Sequence, residues 1–192
     1  MNLILASASP RRQEILSNAG YTFRVRPADL EERFDHTLPI GQATAVLAAQ
    51  KAACVAQNAA EDEVILAADT VVAHQGHVLG KPKDASDAFA MLRLLSGSCH
   101  TVYTGVCIAA PGAAPDTFFC STTVQFYPLT DDTIRQYIAT GEPMDKAGGY
   151  GIQGYGCLLV ERMEGDYFNV MGLPIAQTAR RLAQYGVNGR IL

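Results

Sequence analysis

Glu63-Val64-Ile65-Leu66-Ala67-Ala68-Asp69-Thr70-Val71-Val72 sets the architecture. Its first half is an unbroken apolar run of strand length with polar residues on either side, the pattern of a central strand covered on both faces. Directly after it, Val71-Val72-Ala73 and His77-Val78-Leu79 flank Gly76 and predict a hairpin. Toward the N-terminus, residues 41–57 are Ala-rich with Val46, Leu47 and Val55 and predict a helix, while residues 3–6 predict a short buried strand. That strand runs into a further helix, with Ser9 as its cap, Pro10 in the first turn, Ile15, Leu16 and Ala19 as apolar face, and Gly20 at its end. Toward the C-terminus, Asp84 caps a helix in which Ala88, Met91, Leu92 and Leu95 recur at helical spacing before Gly97. Strands over residues 101–109 and 118–126 follow, joined by the loop Pro111-Gly112-Ala113-Ala114-Pro115. Residues 131–140 predict an amphipathic helix with Ile134, Tyr137 and Ile138 inward, residues 158–160 a strand, and residues 175–185 a final helix. The order is mixed α/β with antiparallel hairpins, not a strict βαβ alternation.

Bulk properties narrow the function classes. A chain of 192 residues without repeat or linker is expected to form one domain or two closely fused lobes. With 48% hydrophobic and 18% charged residues it can bury a core, which argues against disorder. A net charge of −4 gives no sign of a nucleic-acid or membrane surface, so any phosphate site must be a local gathering of Lys and Arg. Cys54, Cys99, Cys107, Cys120 and Cys157 are odd in number and lack C-x-x-C spacing. They read as reduced, mostly buried thiols rather than a disulfide frame or zinc site. The apolar N-terminal run is too short to span a membrane and has no charged region before it. A soluble cytoplasmic protein is expected. His74 and His77 flank a turn without further ligands at metal spacing and read as surface residues, and Glu61-Asp62-Glu63 as a solvated loop.

Four segments carry candidate chemistry. Ser7-x-Ser9-Pro10-Arg11-Arg12 joins a strand to a helix start, where outward N–H groups, two hydroxyls and two guanidiniums suit an anion. An ordinary N-cap with solvated arginines is the plain alternative. Asp69 ends an apolar strand, so its carboxylate must meet a metal, a donor or solvent. General base, metal ligand and turn cap all remain open for it. In Gly80-Lys81-Pro82 the proline fixes the chain beside a lysine that can bind phosphate as a point charge, or simply be solvated. Last, Thr140-Gly141-Glu142-Pro143-Met144-Asp145-Lys146-Ala147-Gly148, continuing to Gly151-Ile152-Gln153-Gly154, has more glycine around one Asp, one Lys and one Gln than a linker needs. Neither G-x-x-x-x-G-K-[ST] nor G-x-G-x-x-G after a strand occurs, which excludes P-loop and Rossmann readings.

Taken in order, these segments resemble the Maf family along the whole chain. The resemblance rests on residues 7–12, residues 47–52 with Lys51, residues 68–72, residues 80–82, Ser96-Gly97-x-x-His100-x-Val102-x-Thr104, residues 141–148 and 151–156, and Gly165-Asp166-Tyr167 with Gly172-Leu173-Pro174. It implies an elongated mixed sheet with flanking helices, two lobes around a cleft, related to the inosine-triphosphate pyrophosphatases. It also implies hydrolysis of a nucleoside triphosphate to monophosphate and pyrophosphate with a divalent cation, Mg²⁺ or Mn²⁺, and by family analogy a homodimer.

Carried over by resemblance, Asp69 is the catalytic proton acceptor, with Lys81 and Glu32 beside it. Of the adjacent Glu31 and Glu32, Glu32 is taken, and Asp69 and Glu32 are the metal carboxylates. Ser7, Ser9, Arg11, Arg12, Lys51 and Lys146 bind substrate; Arg11, Thr70 and Gln153 set specificity. Asp145-Lys146-Ala147-Gly148 with Ile152-Gln153-Gly154 resembles the branch acting on dTTP and UTP, with modified pyrimidine nucleotides as further candidates. The branch acting on 7-methyl-GTP carries a glutamate where Gln153 stands. A primary amide offers one donor and one acceptor, matching O4 and N3–H of uracil or thymine, whereas a carboxylate accepts twice. The alternatives are hydrolysis of 7-methyl-GTP, or a non-catalytic nucleotide-binding regulator of cell division.

Overall fold

The computed structural model describes residues 1–191. Seven strands form one sheet in the order β2-β1-β3-β5-β6-β7, with β4 on β3. They are β1 Asn2–Leu5, β2 Phe23–Val25, β3 Glu63–His74, β4 His77–Leu79, β5 Cys99–Ala109, β6 Asp116–Phe126 and β7 Val160–Glu164. The helices are α1 Pro10–Asn18, α2 Ile40–Ala56, α3 Ala85–Leu95, α4 Asp131–Ala139, α5 Tyr167–Met171 and α6 Ile175–Leu182. β1 runs parallel to both β2 and β3, while β4 on β3 and β7 on β6 are antiparallel, so the sheet is mixed as expected. No helix among the described residues is long and apolar enough to cross a membrane.

Two compact units divide the chain. The first comprises Met1–Asp69, Thr104–Cys120 and Gly172–Leu192. In it the chain leaves β1 for β2 on one side, then returns through α2 to β3 on the other. Both crossovers join parallel strands and move in opposite directions, so right-handed connection places α1 and α2 on opposite faces of the sheet. α2 covers the face carrying Ile4, Ala6, Ile65 and Ala67, contributing Ala48, Ala52 and Val55. The small alanines let the helix approach closely. Leu5 is in register with Leu66, so the end of β1 lies level with the second half of the apolar run. Residues 64–68 of β3 are buried throughout.

The second unit, Thr70–Tyr103 and Ser121–Met171, has its own core. Val72, Leu92, Leu95, Val102, Val124, Phe126, Ile134, Tyr137, Tyr150 and Leu159 meet there. Asp84 and Thr130 cap α3 and α4 through side chains that accept from Asp87 N–H and Thr133 N–H.

Several local expectations fail, each for a visible reason. The strand expected at 158–160 lies later, because Gly154–Leu159 winds into a 3-10 helix before Val160–Glu164 pairs with β6. Ser9 makes no side-chain cap bond; instead its N–H donates to Ser7 Oγ at 3.3 Å. His74 is buried, not a surface residue, with Nδ1 3.1 Å from the Cys99 carbonyl. Glu63 is likewise buried rather than solvated, held by both guanidinium ends of Arg26 at 3.0 Å. Of the cysteines only Cys107 is buried; Cys99 and Cys157 are exposed.

Candidate active site

β1 turns one way to β2 and the chain then crosses to β3, so the carboxyl end of β1 is a point where strand order reverses. Ligands of open α/β sheets bind outside the strand ends at such points. Here the β1–α1 connection holds Ser7 and Ser9, and the first turn of α1 holds Arg11 and Arg12. Arg12 is fixed from two sides: Nε donates to the Gly172 carbonyl at 2.8 Å, and a terminal nitrogen donates to Ser7 Oγ at 3.0 Å. Burial lowers the Arg12 guanidinium from its ordinary value; the charge of Asp69 opposes this, Arg11 adds to it, and Glu32 opposes it.

Alternation along β3 puts Asp69 on the α2 face with Ile65 and Ala67. Lys51 of α2 reaches it there, with Nζ 2.6 Å from Asp69 Oδ1. The same ammonium lies 2.8 Å from Glu32 Oε1, which the irregular segment before α2 delivers. Asp69 and Lys51 are each nearly enclosed, while Glu32 remains half exposed. Neighbouring Glu31 instead pairs with Arg33 at 2.8 Å in open solvent. Among the described residues no donor reaches Asp69 Oδ2, and no cluster of three or more His, Cys, Asp or Glu forms a ready metal cage.

The remaining sequence-derived candidates belong to the second unit. Thr70 follows Asp69 on β3 and is half-buried. Lys81 is exposed; the Gly80 carbonyl before it accepts from Gly148 N–H at 2.9 Å, which ties the Gly80-Lys81-Pro82 turn to the glycine-rich segment. Lys146 spends donors on its own loop, 2.6 Å from the Glu142 carbonyl and 2.7 Å from Asp145 Oδ1. Gln153 is half-buried and precedes the 3-10 helix Gly154–Leu159. Among the described residues its amide has no hydrogen-bond partner.

Two groups here lie in segments the sequence singles out without assigning them a role. Glu142 accepts hydrogen bonds from Tyr137 Oη and from the N–H groups of Tyr155 and Gly156, at 2.9, 2.9 and 3.1 Å. His100 Nε2 lies 2.7 Å from Tyr150 Oη inside the core, with Phe126 edge-on to both rings. Burial pushes the His100 imidazole down to about 4 and raises the Tyr150 hydroxyl. The S-G-x-x-H spacing marked His100, but nothing in it announced a buried neutral imidazole.

The family described as Maf-like protein matches residues 2–185. A dTTP/UTP pyrophosphatase of Moorella thermoacetica is 48% identical over 192 residues, covering 98% of each chain. A dTTP/UTP pyrophosphatase of Geobacillus sp. is 49% identical over 184 residues, covering 96% of this chain and 98% of its own. Among solved structures, a HAM1 protein from Coxiella burnetii matches with a TM-score of 0.54 at 14% identity, over 96% of this chain and 99% of that one. That last likeness is one of fold alone. Matched by the family pattern over nearly its full length and by relatives close to half identical end to end, the chain belongs to the Maf family.

Proposed function

We propose that this chain hydrolyses dTTP and UTP to the nucleoside monophosphate and pyrophosphate. The observation that carries the proposal is the Glu32–Lys51–Asp69 cluster on the unit that presents Ser7, Arg11 and Arg12, in a chain so similar to proteins named dTTP/UTP pyrophosphatase. In the reaction a water oxygen bonds to the α-phosphorus, the bond from that phosphorus to the α–β bridging oxygen breaks, and pyrophosphate departs with the electron pair. Asp69 takes the proton of the attacking water. Its Oδ1 is occupied by Lys51, which fixes the carboxylate and leaves Oδ2 as the acceptor. Ser7, Ser9, Arg11, Arg12 and the N–H groups opening α1 donate to phosphate oxygens, and Lys51, Lys81 and Lys146 add positive charge.

Two carboxylates sharing one ammonium, with no third ligand gathered among the described residues, suit a divalent cation that completes its shell with water and phosphate oxygens. Asp69 and Glu32 would hold it. When bound, Mg²⁺ or Mn²⁺ supplies neutralisation of charge developing on the phosphate oxygens. Gln153 reads the base through its unoccupied amide, with Thr70 and Arg11 as further specificity residues. A site that buries a polar group rejects a mismatched partner sharply, which favours uracil and thymine over guanine.

Pyrophosphate release from dTTP, UTP, ATP, GTP and 7-methyl-GTP, with and without Mn²⁺, tests the proposal. Turnover of dTTP and UTP should exceed that of purine triphosphates by at least about tenfold. Preference for 7-methyl-GTP would assign the chain to the other branch, and silence across the panel would favour a non-catalytic regulator.

A further inference from the structure

Gln153 can read a base only if its backbone is held still, and it sits in the most glycine-rich part of the chain. Gly148, Gly149, Gly151, Gly154 and Gly156 surround it. Such a segment loses much conformational freedom on ordering, so something must offset that cost. The hydrogen bonds converge on one side chain. Glu142 Oε1 accepts from Tyr137 Oη at 2.9 Å and from Gly156 N–H at 3.1 Å, while Oε2 accepts from Tyr155 N–H at 2.9 Å. Tyr137 Oη in turn accepts from Gly151 N–H at 3.1 Å. Tyr137 is fixed in the core of the second unit, on α4. The chain is therefore pinned at Gly151 and again at Tyr155, and only Ile152, Gln153 and Gly154 lie between.

Close packing supports the same reading. A Cβ at Gly154 would stand 2.5 Å from Glu142 Oε2, and one at Gly151 would stand 2.6 Å from Lys146 Cε. Lys146 itself is anchored to the Glu142 carbonyl. These glycines are small because the loop folds down onto Glu142 and the lysine tied to it.

We propose that Glu142 is a positioning residue for base selection. With Tyr137 it clamps the backbone on both sides of Gln153 and so fixes where the amide is presented. Its carboxylate is occupied by the loop, so it acts through Gln153 and not by touching the nucleotide. Charge-assisted bonds to backbone N–H groups are short and directional, which is what a glycine-rich reader requires. The inference rests on the reading of Gln153 as base reader, and the test separates the two.

The full-length chain is compared as wild type, Glu142→Gln, Tyr137→Phe and Gln153→Ala. The readouts are kcat and KM for dTTP and GTP, and hydrogen exchange at the Tyr155 and Gly156 amides. Glu142→Gln keeps the side-chain volume but removes the charge and replaces one of the two accepting oxygens with an N–H₂ donor. It should lower the dTTP-to-GTP ratio of kcat/KM by about tenfold, mainly through KM for dTTP, because small misplacements of a positioned group are costly. Exchange at both amides should quicken. A purely structural role would lower both substrates together and leave the ratio intact; that outcome, while Gln153→Ala collapses the ratio, overturns the inference and spares the Gln153 reading. If the wild type does not discriminate, the Gln153 reading falls and with it the selective role of Glu142. Unchanged amide exchange in Glu142→Gln overturns the clamp regardless of substrate. Should Glu142→Gln fail to fold, Tyr137→Phe removes the bond to Gly151 N–H and the one to Glu142 Oε1, and it should lower the same ratio and quicken exchange at the Gly151 amide; an unchanged ratio or unchanged exchange there overturns the inference.

Discussion

Asp69 and Lys51 each expose 12% of their side chains, so each charge is stabilised by the other. Asp69→Asn keeps the volume and removes the charge and the basic oxygen. We expect kcat to fall by at least ~10²-fold with nucleotide binding retained, seen by pyrophosphate release and calorimetric titration. Near-normal turnover in a folded Asp69→Asn protein would remove Asp69 from its proposed role. The adjacent glutamates offer a sharper contrast. Glu32 lies 2.8 Å from Lys51, whereas Glu31 pairs with Arg33, both side chains 80% exposed. Glu32→Gln should therefore depress turnover in Mg²⁺, while Glu31→Gln should stay within about twofold, since exposed pairs contribute little. Equal effects from the two would detach Glu32 from the site. Sequence alone could point to Asp69, because a carboxylate closing a buried strand needs a partner. It could not separate Glu31 from Glu32, since an irregular segment has no period to assign side chains to faces.

The elements most plainly written in the sequence are those whose burial leaves a pattern, the continuous apolar run of β3 and the helical spacing of α3 and α4. β2 escaped notice because it has three residues, with Arg24 and Val25 exposed, and is held by pairing with β1 rather than by its own pattern. The 3-10 helix at Gly154–Leu159 was hidden for another reason. Its order comes from backbone N–H groups bonded to Glu142, and backbone donors are the same at every residue, so they leave no trace in residue type. This element carries its own prediction. Gly154 has φ of +63° and no room for a Cβ beside Glu142 Oε2. Gly154→Ala should cost about 1–3 kcal/mol, read as a lower urea midpoint, through backbone strain and displacement of the carboxylate. An unchanged midpoint would mean that Glu142 and the loop can separate freely, contrary to the packing.

At the scale of the molecule, the expected mixed α/β chain is present, but charge pairing across the sequence was not legible. Arg26 and Glu63 stand 37 positions apart, and no repeat or motif in the sequence pairs them. Such buried titratable groups govern how the whole protein responds to acid. Hydrogen bonds from Arg26, with that of Ala60 N–H, lower the Glu63 carboxyl from its ordinary value, so its contribution is present at neutral pH and is lost in strong acid. His100 acts at milder pH. Burial, helped by the nearby His74, lowers its imidazole from 6.5 to about 4, and among the described residues its Nδ1 has no partner to stabilise a second proton. The unfolded chain therefore binds a proton more readily than the folded one between these values, and stability must fall as pH falls through that window. Full titration of this one group corresponds to roughly 3 kcal/mol, present above its unfolded pKa and gone below the folded one. His100→Gln keeps an acceptor for Tyr150 Oη but cannot titrate. Urea unfolding between about pH 7 and about pH 4 should show the wild type losing stability more steeply than His100→Gln, the two curves converging toward acid. Parallel curves over that range would show that acid reaches the fold by another route and that the His100 imidazole is already free to protonate in the native core.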